Sequence, residues 1–181
     1  MPTLSLFGQL LKTTWKLYFV GVVSLLFCAG VYAEAPLSKE KKLKAAYLLN
    51  FTKFIEWPDP TKIKSTSTIR ICVDASSEFQ QFLSQLVGDR RVGRLNNKVA
   101  VMSLFTATGC ELLYIQGKQN SDSLQFKNTV IVADSDNISF SNAAIFFYTE
   151  DRKLRFEIDL EKINTLNVAV SSELLKLARI K

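Results

Sequence analysis

The chain has 181 residues, 48% of them hydrophobic, with 23 basic against 17 acidic side chains and a formal net charge of +6. It contains no histidine, which excludes a Ser-His-Asp triad, a Cys-His dyad and every histidine metal ligand, and removes most neutral-pH proton shuttles. CxxC, HExxH and GxSxG patterns and a glycine-rich phosphate loop are absent too; carboxylate chemistry stays open.

The first sixteen residues carry Lys12 and Lys16 and no acid. An apolar run over 17–31 follows, then the compact pair Val31 and Ala33 before Glu34. This predicts a secretory signal over 1–33, cleaved on export. The apolar run is about 15 residues, short of the roughly 20 that span a bilayer. A retained membrane anchor is the competing reading. Leu26 and Phe27 stand before Cys28 where a lipobox needs small residues. The remaining 34–181 is the length of one domain and can bury its own core. Its net charge falls to +4, because Lys12 and Lys16 leave the 23 basic residues while all 17 acids stay. Basic residues cluster at Lys39, Lys41, Lys42 and Lys44, read as a solvated helix face, and at Arg90, Arg91 and Arg94.

Residues 43–56 have helical spacing, with Leu43, Ala46, Tyr47, Phe51, Phe54 and Ile55 on one side. Ser38 is the candidate N-cap, and Trp57-Pro58 ends the helix. Asn50 falls on the apolar side and needs a partner, read as a neighbouring backbone group. A polar linker over 61–68 precedes a strand at 69–73, closed by Asp74. A second helix is expected over 78–87, strands over 98–104, 112–116 and 129–133, and a short helix over 121–126. A continuous apolar strand at 143–149 and an alternating one at 154–160 form a hairpin turning at 150–153. Ser171 caps a last helix reaching residue 180. Early helix–strand alternation and a late hairpin predict an α/β single-domain layered sandwich, with a mixed β-sheet flanked by helices.

Ligands of open α/β sheets sit at the carboxyl ends of strands. Those ends carry Asp74, Gln116 with Gly117, and Asp134-Ser135-Asp136. Asp74, Asp134 and Ser135 are the candidate ligand-binding residues. Asp134 and Asp136 have the chemistry for paired carboxylates or a divalent cation, against which stands ordinary turn formation and capping. Cys72 and Cys110 form an even pair in an exported chain, which favours a disulfide over two buried thiols. Nucleic-acid binding does not fit an exported domain with scattered basic residues. The residues alone name no function.

The stretch KAAYLLNFTKFIEWP over 44–58 resembles the opening helix of the YfiR family, also called HmsC-like. IRICV at 69–73, CELLYI at 110–115, TVIVADSD at 129–136, LRFEIDL at 154–160 and VSSELLKLAR at 170–179 follow the family pattern in the same order. The resemblance covers about 44–180. It implies a periplasmic regulator that is not an enzyme, uses no cofactor and no metal, and restrains an inner-membrane diguanylate cyclase. Release of that restraint would raise cyclic di-GMP and promote biofilm. It also implies a tendency to form homodimers and a disulfide on Cys72 and Cys110. Departures are Ser141-Asn142-Ala143-Ala144 where the family has glycines, Asp159 where Asn is common, and the lack of a second cysteine pair near the hairpin. For the partner contact, the half-exposed strand offers Arg155, Glu157 and Asp159. The alternative is a ligand-binding module for cell-wall fragments or a small solute. A carboxylate enzyme built on Asp134 and Asp136 is the third class.

Overall fold

In the computed structural model, residues 36–57, 68–93, 96–104, 109–116, 128–134 and 142–181 are described. The expected leader, the expected helix at 121–126 and residues Gly117, Ser135 and Asp136 lie outside them.

Helix α1 (Lys39–Phe54) starts where Ser38 turns extended and its hydroxyl accepts the Lys41 backbone N–H at 3.3 Å. The helix begins four residues before the expected start, because the lysine-rich stretch is helical as well. It buries Ala45, Leu48, Leu49, Phe51 and Thr52. Leu43 is 44% exposed and is not on the packed stripe. Asn50 is only half-buried, and its side-chain oxygen accepts from Lys53 Nζ at 3.0 Å, not from a neighbouring strand. The helix ends before Trp57-Pro58 because Ile55 is drawn into strand β1 (Ile55–Glu56). That strand pairs antiparallel with β9 (Ala169–Val170).

The main sheet contains β2 (Thr68–Asp74), β3 (Arg91–Val92), β4 (Asn97–Ser103), β5 (Leu112–Ile115), β6 (Val130–Asp134), β7 (Ile145–Glu150), β8 (Lys153–Ile158) and β10 (Arg179–Ile180). Their order is β10-β8-β7-β6-β5-β2-β4-β3. The centre is parallel, while the β7–β8 and β3–β4 pairs are antiparallel, so the sheet is mixed. Helix α2 (Ser77–Val87), capped by Ser76, links β2 to β3.

Side chains alternate between the two sheet faces. Ile71, Val73, Tyr114, Val132, Ile145, Phe147 and Phe156 share one core with Leu48 and Phe51 of α1 and Phe79 and Leu83 of α2. Aromatic rings bind this core: Phe51 stacks on Phe147 at 5.9 Å and meets Phe156 edge-on at 5.1 Å, and Phe79 lies 5.2 Å from Tyr114. Cys72, Leu113, Ile115 and Ala133 occupy the opposite face with Cys110 and Ala143.

The hairpin turn uses Asp151 and Arg152, both at positive φ of 50° and 59°, the geometry of a type I′ turn that glycine or asparagine adopts most easily. After β8 the alternating pattern stops at Ile158. Asp159 then caps a helix that sequence reading missed, α3 (Leu160–Thr165), by accepting the Lys162 backbone N–H at 3.1 Å. The expected terminal helix is one turn only, α4 (Ser172–Leu175). It stops because Arg179 and Ile180 pair in parallel with Glu157 and Ile158 of β8, an attachment that a continuing helix would forgo.

Candidate functional site

The charged groups at the carboxyl end of the sheet do not form one cluster. Successive residues point to opposite faces, and register puts Asp74 level with Ile115 and Ala133. Asp134, one position further, lies level with Phe147 on the α1 side. The two aspartates are therefore separated by the sheet.

On the α1 side, Lys44 reaches down from the helix. Its Nζ lies 3.0 Å from Asp134 Oδ1 and 2.7 Å from Glu40 Oε1, and its side chain is 8% exposed. The Tyr114 hydroxyl donates to Asp134, 3.4 Å from Oδ1 and 3.5 Å from Oδ2. Lys44 is thus not part of a solvated face; Lys39 and Lys42 are exposed, as expected. Burial alone would depress the Lys44 ammonium, but hydrogen bonds to Glu40 and Asp134 outweigh it and hold its pKa above the ordinary lysine value. Burial pushes the Asp134 carboxyl up, and Lys44 pulls it back only in part. Burial and the Asp134 charge push the Tyr114 hydroxyl far up, so it stays a donor. This network closes on itself. The signal for it was Lys44 itself, four and seven residues before Leu48 and Phe51 and so on the buried stripe.

On the other face, Asp74 Oδ2 is buried without a hydrogen-bond partner among the described residues, and burial raises its carboxyl pKa. The backbone N–H of Gln116 donates to the Asp74 backbone oxygen at 3.0 Å. Among the described residues no group of three or more His, Cys, Asp or Glu is placed to hold a metal.

At the amino end of β5, Cys72 and Cys110 form a disulfide with a Cα–Cα distance of 5.8 Å. It pins the segment entering β5 to β2. The next residue, Glu111, is a hub that the sequence did not reveal. Its carboxylate accepts from Arg70 Nη2 at 2.8 Å, from Arg70 Nε at 3.1 Å and from the Arg70 backbone N–H at 2.7 Å. Its carbonyl accepts from Trp57 Nε1 at 3.1 Å and from the Val130 N–H at 3.0 Å. Cys110 itself is held by Thr129, whose hydroxyl donates to the Cys110 carbonyl at 2.6 Å.

The β8 candidates lie on the face away from α1. Arg155 pairs with Glu150 at 3.0 Å. Glu157 pairs with Arg179 at 2.7 Å, and the Arg179 guanidinium stacks 3.9 Å from the Tyr148 ring centre. Register brings them together, since Tyr148 faces Arg155 and both Phe146 and Arg179 face Glu157. Asp159 is not on this surface as a free carboxylate, because it caps α3 and lies 3.6 Å from Lys162 Nζ.

These features define the class: a disulfide-braced α/β domain with a mixed sheet, in which Lys44, Arg70, Arg155, Lys162 and Arg179 are held in ion pairs. The profile of the family described as YfiR/HmsC-like matches residues 41–179, and the chain belongs to that family. No curated protein sequence matches the chain.

Proposed function

We propose that this protein is a periplasmic, non-enzymatic regulator that restrains an inner-membrane diguanylate cyclase through the cyclase's periplasmic part, and so limits cyclic di-GMP and biofilm formation. The observation that carries this reading is the family match over 41–179, nearly the whole of the compact unit Leu37–Lys181. No helix among the described residues is long and apolar enough to cross a membrane. A restraining partner binds one state of its target better than the other. The surface proposed for this is Arg155 and Glu157 with Tyr148 and Arg179, a half-exposed aromatic ring ringed by charge.

The test must separate contact with the target from the internal Glu157–Arg179 pair. Glu157→Lys and the reciprocal double change Glu157→Arg with Arg179→Glu are compared in cells for cyclic di-GMP and protein abundance. The double change rebuilds the pair across β8 and β10, so abundance should be normal, while the inverted charges leave cyclic di-GMP raised. Normal cyclic di-GMP at normal abundance would place the contact elsewhere. A second reading, a module for cell-wall fragments or a small solute, is favoured by the unpartnered Asp74 Oδ2. It calls for a thermal shift with such a fragment that Asp74→Asn removes.

A further inference from the structure

The hairpin at one edge of the sheet carries positive charge that forms no ion pair with a carboxylate among the described residues. Strand β3 pairs antiparallel with β4 and sets Arg91 directly across from Lys98, with Arg90 just before it. All three side chains are exposed. Like charges facing each other across a ladder oppose the pairing. Among the described residues no ion pair joins any of the three to an acid; exposed lysines elsewhere, such as Lys39 and Lys176, also lack one, so what distinguishes this edge is that two of its cations face each other. Arg91 donates from Nη1 to the Asn96 backbone oxygen at 3.1 Å, which fixes the side chain without cancelling its charge. The adjacent acid, Asp89, is exposed.

We propose that this edge is a docking surface for the anionic phospholipid headgroups of a membrane, holding the regulator beside its membrane target. The proposal rests on the reading that the protein works next to a membrane. Charges on edge strands also block strand addition, but that purpose does not require two cations facing each other. A lipid surface fits better than an acidic protein. A protein interface needs an apolar, desolvated centre, and among the described residues here Val92 and Val99 are buried while the exposed neighbours are Gly88, Asp89, Gly93 and Asn96. Cations with no apolar anchor among the described residues suit adsorption to headgroups, with about fivefold in binding for each one near the surface.

The experiment is co-sedimentation of the exported protein with phosphatidylcholine vesicles, with and without phosphatidylglycerol. It compares wild type with Arg90→Gln, Arg91→Gln and Lys98→Gln, singly and combined, after circular dichroism has checked the fold. Wild type should bind only the vesicles containing phosphatidylglycerol. Binding should vanish near 1 M salt, where the screening length is about 3 Å. Each single change should weaken binding about fivefold, and the triple change about a hundredfold. Because the vesicles contain no protein, this outcome is independent of whether a cyclase is the target. Wild type that ignores anionic vesicles, or a well-folded triple variant that binds them equally, overturns the proposal. Should the triple variant misfold, equal binding by all three single variants overturns it as well. Loss of binding to the membrane partner's periplasmic part, without any vesicle binding, would assign the patch to an acidic protein and also overturn it.

Discussion

Replacing Lys44 with methionine keeps the unbranched stem as far as Cε and removes the charged Nζ. Two contacts are lost, and they differ in weight. Glu40 is 55% exposed on its side chain, so its pair with Lys44 is a surface ion pair worth about 0–1 kcal/mol. Asp134 is only 18% exposed and has no other cationic partner among the described residues. Removing one member of a buried pair costs about 3–5 kcal/mol, and the partial exposure of Asp134 places this case near the lower end, about 3 kcal/mol. The deficit should depend on pH with a definite sign. The folded-state pKa of Asp134 already lies above the ordinary value of 3.8, so its ionisation opposes folding as pH rises through that raised value. Without Lys44 the pKa rises further, and the variant's deficit should be largest at neutral pH and shrink as pH falls toward the ordinary aspartate value. Urea unfolding of both proteins across this range measures it. Adding Asp134→Asn should recover much of the neutral-pH loss. Equal stability of Lys44→Met and wild type at neutral pH, with no pH dependence of the difference, would refute the buried-pair reasoning.

Changing both Cys72 and Cys110 to alanine should lower stability by about 4 kcal/mol, from loop closure across a separation of 38 residues; urea midpoints check this, and a change below about 1 kcal/mol would mean that the Glu111 hub alone holds the segment. Arg152→Gly should stabilise the chain by about 1 kcal/mol, since Arg152 sits at φ 59° and glycine takes that conformation without a Cβ penalty. A lower melting temperature for Arg152→Gly would contradict that assignment.

The sheet was largely legible in the sequence because its strands are short apolar or alternating runs closed by polar residues, and such runs have one reading once length is considered. The helix caps Ser38 and Ser171 were legible for the same local reason. Longer-range competition was not. Nothing near Arg179 shows that it leaves the helical pattern to pair with β8, because the decision depends on a free edge more than twenty residues away. Asp159 continued the alternation of β8 and so concealed its role as a cap. At the strand ends, Asp74 and Asp134 looked like neighbours because both follow a strand. A one-residue difference in register puts them on opposite faces, and register is not written in either segment alone. Lys44 was the missed signal: a charge on the buried stripe of α1 implies a buried partner.

The most direct measurement of the regulatory account is intracellular cyclic di-GMP in cells lacking this protein, with and without wild-type protein restored and directed to the periplasm. The account requires cyclic di-GMP to rise on deletion and to return on restoration, and requires the rise to disappear when the catalytic site of the membrane cyclase is inactivated. Cyclic di-GMP that stays unchanged on deletion, in cells where the protein is otherwise present at normal abundance, would contradict it.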